Sequence, residues 1–190
     1  MKDMLIGLLK NKWAITILFF CSLVVLSLVI QAYNREFAPV VKYDKLAIQS
    51  YRQGNYEQAI ENWKKVLEIN PRDRKTLNKI GMAYLESEQI DKAVQFYADC
   101  SKAHPKDLDL RYNLALSYFR QGKLEQGWQE LEKIQQLNRL FPQLHYLRGL
   151  IYEKKGDFAQ AKKEFIKEIN INPDCLGAWY KLKKYREGGR

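Results

Sequence analysis

Side chains able to do covalent or metal chemistry are few in this chain, and their spacing is wrong for it. His104 and His145 are the only histidines. A nucleophilic site needs a base within hydrogen-bond reach and a third group to orient it, and no Ser-His-Asp pattern is apparent. Zinc needs Cys and His at short fixed spacings, yet Cys100 and Cys175 lie 75 residues apart with no CxxC, and Cys21 lies in an apolar run. No glycine-rich phosphate loop follows a strand. The reading is therefore a chain that is not an enzyme, with no catalytic residue, metal or cofactor. All three cysteines read as small buried thiols, and both histidines as surface or packing residues.

Binding chemistry is the remaining class, and charge is its first clue. The formal net charge is +10, and a basic excess often marks nucleic acid or anionic membrane. Here the cations are mixed with acids, as in Glu57, Glu61, Lys64, Lys65 and Glu68, which is the pattern of a solvated helix face. Cations and aromatics are not interleaved on one strip as a nucleic-acid stacking groove requires, so a nucleic-acid-binding repeat protein is a lesser alternative. The one local basic cluster is Lys181, Lys183, Lys184, Arg186 and Arg190 against Glu187, near the C-terminus.

Residues Trp13 to Asn34 carry no charge. The apolar run from Trp13 to Ile30, continued to Tyr33, matches a hydrocarbon core of about 30 Å when helical. Trp13 and Tyr33 sit at the interfacial positions, with Lys12 and Arg35 just outside. Thr16, Ser22 and Ser27 are the only hydroxyls in it, and each is able to bond back to its own helix. The run exceeds the roughly 7–15 residues of a signal-peptide core, and Ile30-Gln31-Ala32 is a poor cleavage site, so an uncleaved single-pass anchor is expected. Lys2, Lys10 and Lys12 nearly balance Arg35, Lys42 and Lys45. Their closeness to the span tips the reading toward a cytoplasmic N-terminus in a bacterial inner membrane. The bulk of the chain would then lie outside the cytoplasm. Free thiols argue for the alternative, the cytoplasmic face.

Beyond the apolar run the sequence repeats with a period of 34. Pro71, Pro105 and Pro173 obey it, as do Gly54, Gly122 and Gly156, and Tyr84, Tyr118 and Tyr152. Small residues recur at Ala47, Gly81, Ala115 and Gly149, alanines at Ala59, Ala93 and Ala161, and bulky residues at Trp63, Tyr97, Leu131 and Phe165. Each has a physical reason. Small residues let two helices approach, bulky ones fill the space beside them, glycine accepts the turn, and proline ends the unit. Gly54-Asn-Tyr-Glu-Gln-Ala-Ile60 and Gly156-Asp-Phe-Ala-Gln-Ala161 show the helix–turn–helix join most plainly.

This register resembles the tetratricopeptide repeat family over residues 40–175. The resemblance implies an all-α chain: a transmembrane helix, an α-solenoid of four helix pairs, and a capping helix. The expected organisation is a basic tail at 1–12, the anchor at 13–33, a short linker at 34–39, repeats at 40–73, 74–107, 108–141 and 142–175, and a cap with basic tail at 176–190. Departures from the pattern are Glu88 for the turn glycine, Gly127 for alanine, Arg139 for proline and Arg148 for a core leucine.

In such proteins the first helix of each repeat lines a concave face. Here that face would carry Tyr51 and Arg52, then Asn78, Lys79 and Met82, then Tyr112, Asn113, Leu116, Phe119 and Arg120, then Tyr146 and Lys154. It suits a peptide segment of a protein partner with apolar anchors and some acids. Leu85, Leu147 and Leu150 are equally candidates for packing between repeats, whereas Tyr112, Tyr146 and Phe119 are expected to be partly exposed. The family's chaperone-tail clamp is absent: Asp44 and Ile48, or Asn78, Met82, Gln143 and Leu147, stand where its cations and amides belong. A linker of about six residues would reach roughly 20 Å when extended, which keeps the groove near the bilayer and favours a membrane-proximal partner. Anchored repeats of this kind resemble envelope assembly, cytochrome maturation, secretion and pilus factors. Nothing in the sequence sets an oligomeric state.

Overall fold

A computed structural model describes residues 2–188; Met1, Gly189 and Arg190, the last part of the basic tail, lie outside it. The described residues form nine α-helices: α1 (Lys2–Arg52), α2 (Tyr56–Ile69), α3 (Arg74–Glu86), α4 (Ile90–Ala103), α5 (Leu108–Gln121), α6 (Leu124–Leu137), α7 (Leu144–Lys154), α8 (Phe158–Ile171) and α9 (Leu176–Arg186). They divide into two compact units, Met1–Pro71 and Arg72–Arg190.

In the first unit, α1 runs without a break through residues 2–12 of the expected tail and through the expected linker at 34–39. Residues 34–38 contain no glycine, and Pro39 removes only one N–H from the ladder, so helical bonds continue around it. Six helical residues rise about 9 Å, less than half the span of an extended linker. The apolar part of α1 is exposed throughout, with mean hydropathy 2.5 over its most apolar stretch. By length and composition it is the one helix among the described residues able to cross a membrane. Thr16 and Ser22 donate to the carbonyls of Trp13 and Phe19, so their hydroxyls are satisfied within the helix. Cys21 is exposed on this helix rather than buried, because no described residue packs over it. Further along, Ala47 is fully buried where α1 packs on α2, and Trp63 Nε1 donates to Asp44 at 2.9 Å.

In the second unit each helix packs on its neighbours in chain order, and first helices also touch one another, α3 on α5 and α5 on α7. Such short-range contact is how a repeat array buries a core without long chain crossings. The decisive contacts are within pairs. A Cβ on Gly81 would overlap the ring of Tyr97, and a Cβ on Gly149 would overlap the ring of Phe165. Tyr97 and Phe165 are both fully buried. The middle pair reaches the same closeness differently, with Ala115 and Leu131 in one core cluster: one carbon more on one side, a smaller side chain on the other. Burial of each such side chain contributes about 1.5–3 kcal/mol.

Turns follow the same economy. Gly122 and Gly156 have φ of 85° and 82°. Glu88, standing where the register calls for glycine, adopts φ 59° all the same. Its Cβ costs about 1–2 kcal/mol there, held in place by the packed helices on either side. Cys100 is buried, and desolvation first, with Asp99 and Asp107 nearby, pushes its thiol up to about 11, so it stays protonated. Cys175 is half-buried.

We expect Gly149→Ala to destabilise the protein by about 1–3 kcal/mol, more than alanine's gain in helix propensity returns. Adding Phe165→Leu, which copies the Ala115–Leu131 combination, should recover most of the loss. Urea midpoints at constant slope test this; equal midpoints for wild type and Gly149→Ala would sink the packing argument.

Candidate binding face on the first helices

The nominated residues of the second unit lie on α3, α5 and α7, and their helices are positioned by capping. Asp73 accepts from Lys75 N and Thr76 Oγ1, and Asp107, one period on, accepts from Asp109 N and Leu110 N. These caps satisfy N–H groups that the first turn leaves unpaired. One further period on stands Phe141, which cannot accept. There Gln143 adopts φ 69°, and Glu168 of α8, fully buried, accepts from Gln143 N at 2.7 Å and Tyr146 N at 3.2 Å. A carboxylate from the neighbouring helix thus replaces the missing cap. Sequence reasoning missed Glu168; the signal was Phe141 in the register of Asp73 and Asp107.

Neighbouring first helices are joined by bonds that recur at one sequence separation. Asn113 Nδ2 donates to Asn78 Oδ1 at 2.9 Å. Arg120 Nη1 donates to the Leu85 carbonyl at 3.2 Å, and Lys154 Nζ to the Phe119 carbonyl at 3.4 Å. The Lys154 ammonium also lies 4.6 Å from the centre of the Phe119 ring. A cation at the C-terminal end of a first helix therefore caps the preceding first helix, where carbonyls and the helix dipole favour positive charge. Arg120 and Lys154 were nominated to meet a partner's acids, and both are already engaged within the chain.

The other nominated residues divide. Tyr112 is buried, contrary to the expected exposure, because Phe141 packs against it at a tilt with ring centres 5.8 Å apart. Desolvation, with Glu168 nearby, raises its phenol strongly. Tyr146 and Phe119 are half-buried, as are Asn78, Lys79, Met82, Asn113 and Leu116. Leu85 and Leu147 are fully buried packing residues, and Leu150 is half-buried. In the first unit Tyr51 packs on Tyr56 and Trp63 at 5.3 and 5.7 Å between centres, and Arg52 ends α1 exposed.

Asn78, Tyr112 and Asn113 meet Asp109, Phe141, Pro142 and Gln143 around a pocket of about 360 Å³. That is at the small end of ligand pockets, which run to about 1,000 Å³, and suits one or two side chains of a larger partner. Each asparagine amide has a donor pair and an acceptor, so the Asn78–Asn113 bond leaves hydrogen-bonding capacity on both for an incoming main chain. Asp109, exposed and 3.5 Å from Arg74, supplies the charge at its edge.

Behind the face, hydrogen-bonded polar pairs tie first helices to second ones. Arg111 meets Glu130 at 2.7 Å, and one period later His145 Nδ1 donates to Glu164 at 2.7 Å, so His145 is a buried packing residue. Lys133 and Lys167 complete each carboxylate. Arg148 in the leucine position is buried with its guanidinium 4.6 Å over Trp128, a cation–π contact that suits a desolvated cation. Among the described residues no group of three or more His, Cys, Asp or Glu is placed to hold a metal.

Pairs of helices stacked in register, with glycine or alanine at the crossing, define a helical repeat scaffold. Two family models agree: the tetratricopeptide repeat matches residues 142–175, and subunit 3 of the anaphase-promoting complex, or cyclosome, matches residues 48–134. Residues 142–175 carry the tetratricopeptide repeat. It is 29% identical over 98 residues to the photosystem I assembly protein Ycf3 of Prochlorococcus marinus, a match covering 46% of this chain and 57% of that one. The chain thus spans little more than half the length of this relative, and far less of the peroxisomal targeting signal receptor of Saccharomyces cerevisiae. Among solved structures it is similar to the thermophilic repeat protein TTC0263 of Thermus thermophilus, with TM-score 0.66, 23% identity and coverage of 82% and 84% of the two chains. It is also similar to pilF of Pseudomonas aeruginosa, with TM-score 0.65, 21% identity and coverage of 80% and 71%. Repeats of this family typically serve as binding scaffolds rather than enzymes.

Glu164 gives this region a pH signature. Desolvation raises its pKa, but the hydrogen bonds from His145 and Lys167 outweigh that and hold it below the usual 4.5. A depressed folded value contributes stability that is present above the unfolded value and lost as pH falls through the folded one. Glu164→Gln should lower stability at neutral pH by about 1–3 kcal/mol and flatten the fall in Tm below pH 4.5. An unchanged acid limb in a Tm-against-pH series would refute this.

Proposed function

We propose that this chain is a membrane-tethered interaction scaffold or assembly factor. Residues 13–33 of α1 hold it in the membrane, and the first-helix face binds a peptide segment of a membrane-proximal protein. The observation that carries the reading is the pocket between Asn78, Tyr112, Asn113 and Phe141, where unspent amide capacity borders buried aromatic surface. Amides that bond a peptide main chain give affinity without demanding one sequence, and an aromatic-walled pocket selects the anchoring side chain.

The engagement of Arg120 and Lys154 shifts the expected ligand away from a strongly acidic peptide and toward an apolar or amide-rich one. An assembly role is supported by the likeness to a protein named for photosystem I assembly. Envelope placement in bacteria, with the repeats outside the cytoplasm, rests on the lysines before the apolar run; the cytoplasmic-face adaptor is the alternative.

A photo-crosslinking residue at Met82 or Leu116 in the full chain should capture a protein in intact cells, and one at Gln129 on α6 should not. Asn113→Asp, which charges the pocket, should reduce that capture by about tenfold. Equal capture from Gln129 would show that the first-helix face is not the binding surface. For topology, single cysteines on α9, in a background lacking Cys21, Cys100 and Cys175, are expected to react with an impermeant thiol reagent in unbroken cells. Reaction only after permeabilisation places the repeats on the cytoplasmic face.

A further inference from the structure

A second surface, away from the first-helix face, lies between α8 and α9. A groove of about 570 Å³ there has Ile166, Trp179 and Leu182 for its apolar part and Lys162, Lys183 and Arg186 for its cationic part. Trp179 is 50% exposed although its indole N–H donates to the Pro173 carbonyl, so its ring is held in place with half its surface uncovered. Ile166 is 40% exposed beside it.

The internal repeat says what belongs in this groove. Counting in steps of 34, Trp179 takes the place of His145 and Arg111, and Lys183 the place of Gly149, Ala115 and Gly81. In α5 and α7 those places face the second helix of the same pair. Arg111 reaches Glu130 on α6, His145 reaches Glu164 on α8, and Gly149 lies against Phe165. The corresponding face of α9 is covered by no described residue. It is built like a surface that receives a helix.

One substitution changes the specification. The small residue that allows close approach is here Lys183, whose side chain is 65% exposed. A helix seated over α9 must therefore stand further off, and must supply carboxylates to Lys183, Arg186 and Lys162. Of the nearby acids, Glu153 is taken by Lys181 and Tyr185, and Glu187 lies at 4.0 Å from Lys183 in the last turn. The groove keeps a cationic excess. A second copy of this chain, itself at +10, is electrostatically the wrong occupant.

We propose that the α8–α9 groove docks an acidic amphipathic helix from a partner protein, lying where a second helix lies in the preceding pairs. Its apolar stripe would cover Ile166, Trp179 and Leu182, and flanking Asp and Glu would meet the three cations. This site is separate from the first-helix pocket, and the chain could engage both at once.

The test is a binding titration of the full chain in neutral detergent micelles. The probe is a fluorescein-labelled synthetic helix of Leu, Ala, Glu and Asp with its apolar residues on one face. A scrambled peptide of the same composition and phosphatidylglycerol vesicles are run beside it. The ordered helix should bind, the scrambled one at least about tenfold more weakly, and Lys183→Glu or Lys162→Glu should each weaken binding about tenfold with unchanged circular dichroism. Asn113→Asp should leave it unchanged, which separates this site from the other. Equal binding of the scrambled peptide, indifference to both lysine variants, or binding of vesicles but not of the helix would each overturn the proposal.

Discussion

The close crossing of two helices at a single small residue is the constraint on which the second unit depends. Where Gly81 and Gly149 face Tyr97 and Phe165, there is no room even for a methyl group. That closeness sets the distance within a pair, and the pair then presents a fixed surface for the next. Because the contacts are nearly all between neighbours in sequence, each pair's geometry is decided locally and carried forward. The glycine–aromatic and alanine–leucine solutions are interchangeable because what the crossing requires is a conserved total volume, not a particular residue.

Once pairs are set, the polar groups they bury must be satisfied, and the chain does so by reaching across helices. Asp73 and Asp107 cap their own helices, but α7 is capped by Glu168 from α8. Arg120 and Lys154 each cap the end of the preceding first helix, α3 and α5. These bonds matter more for what they prevent than for what they add. Each contributes on the order of 1 kcal/mol, while a buried unpaired group would cost about 1–3 kcal/mol. They also engage two cations of the candidate binding face, whose pocket is lined largely by amides and aromatics. The face is thus shaped by the needs of the scaffold before any partner arrives.

The two ends of the repeat register depart from it in opposite ways. Before it, α1 continues as an exposed apolar helix far longer than any other described helix. After it, α9 keeps the helical length but exchanges the small crossing residue for Lys183, so it does not accept a close second helix. By length and composition the first is able to cross a membrane, while the second offers a cation where the preceding first helices offer a small crossing residue.

Much was legible in the sequence because the period of 34 repeats residue types whose reasons are local. Glycine or alanine at a crossing, glycine at a turn and an apolar run without charge are properties a residue carries with it. On that basis the all-α class, the pairs of helices and the partial exposure of Phe119 and Tyr146 could be read in advance. What the sequence could not decide was where polar side chains spend their hydrogen bonds. Arg120 and Lys154 reach a carbonyl 35 residues away, Glu168 substitutes for a cap that Phe141 cannot provide, and Tyr112 is covered by that same phenylalanine. The helical continuation through residues 34–39 was hidden for a related reason, since Pro39 forbids one hydrogen bond but not the helix around it. Periodicity reports which face a residue is on. Only the packed structure decides which partner it finds there, because a long side chain can reach several and its choice is set by whichever buried group would otherwise go unpaired.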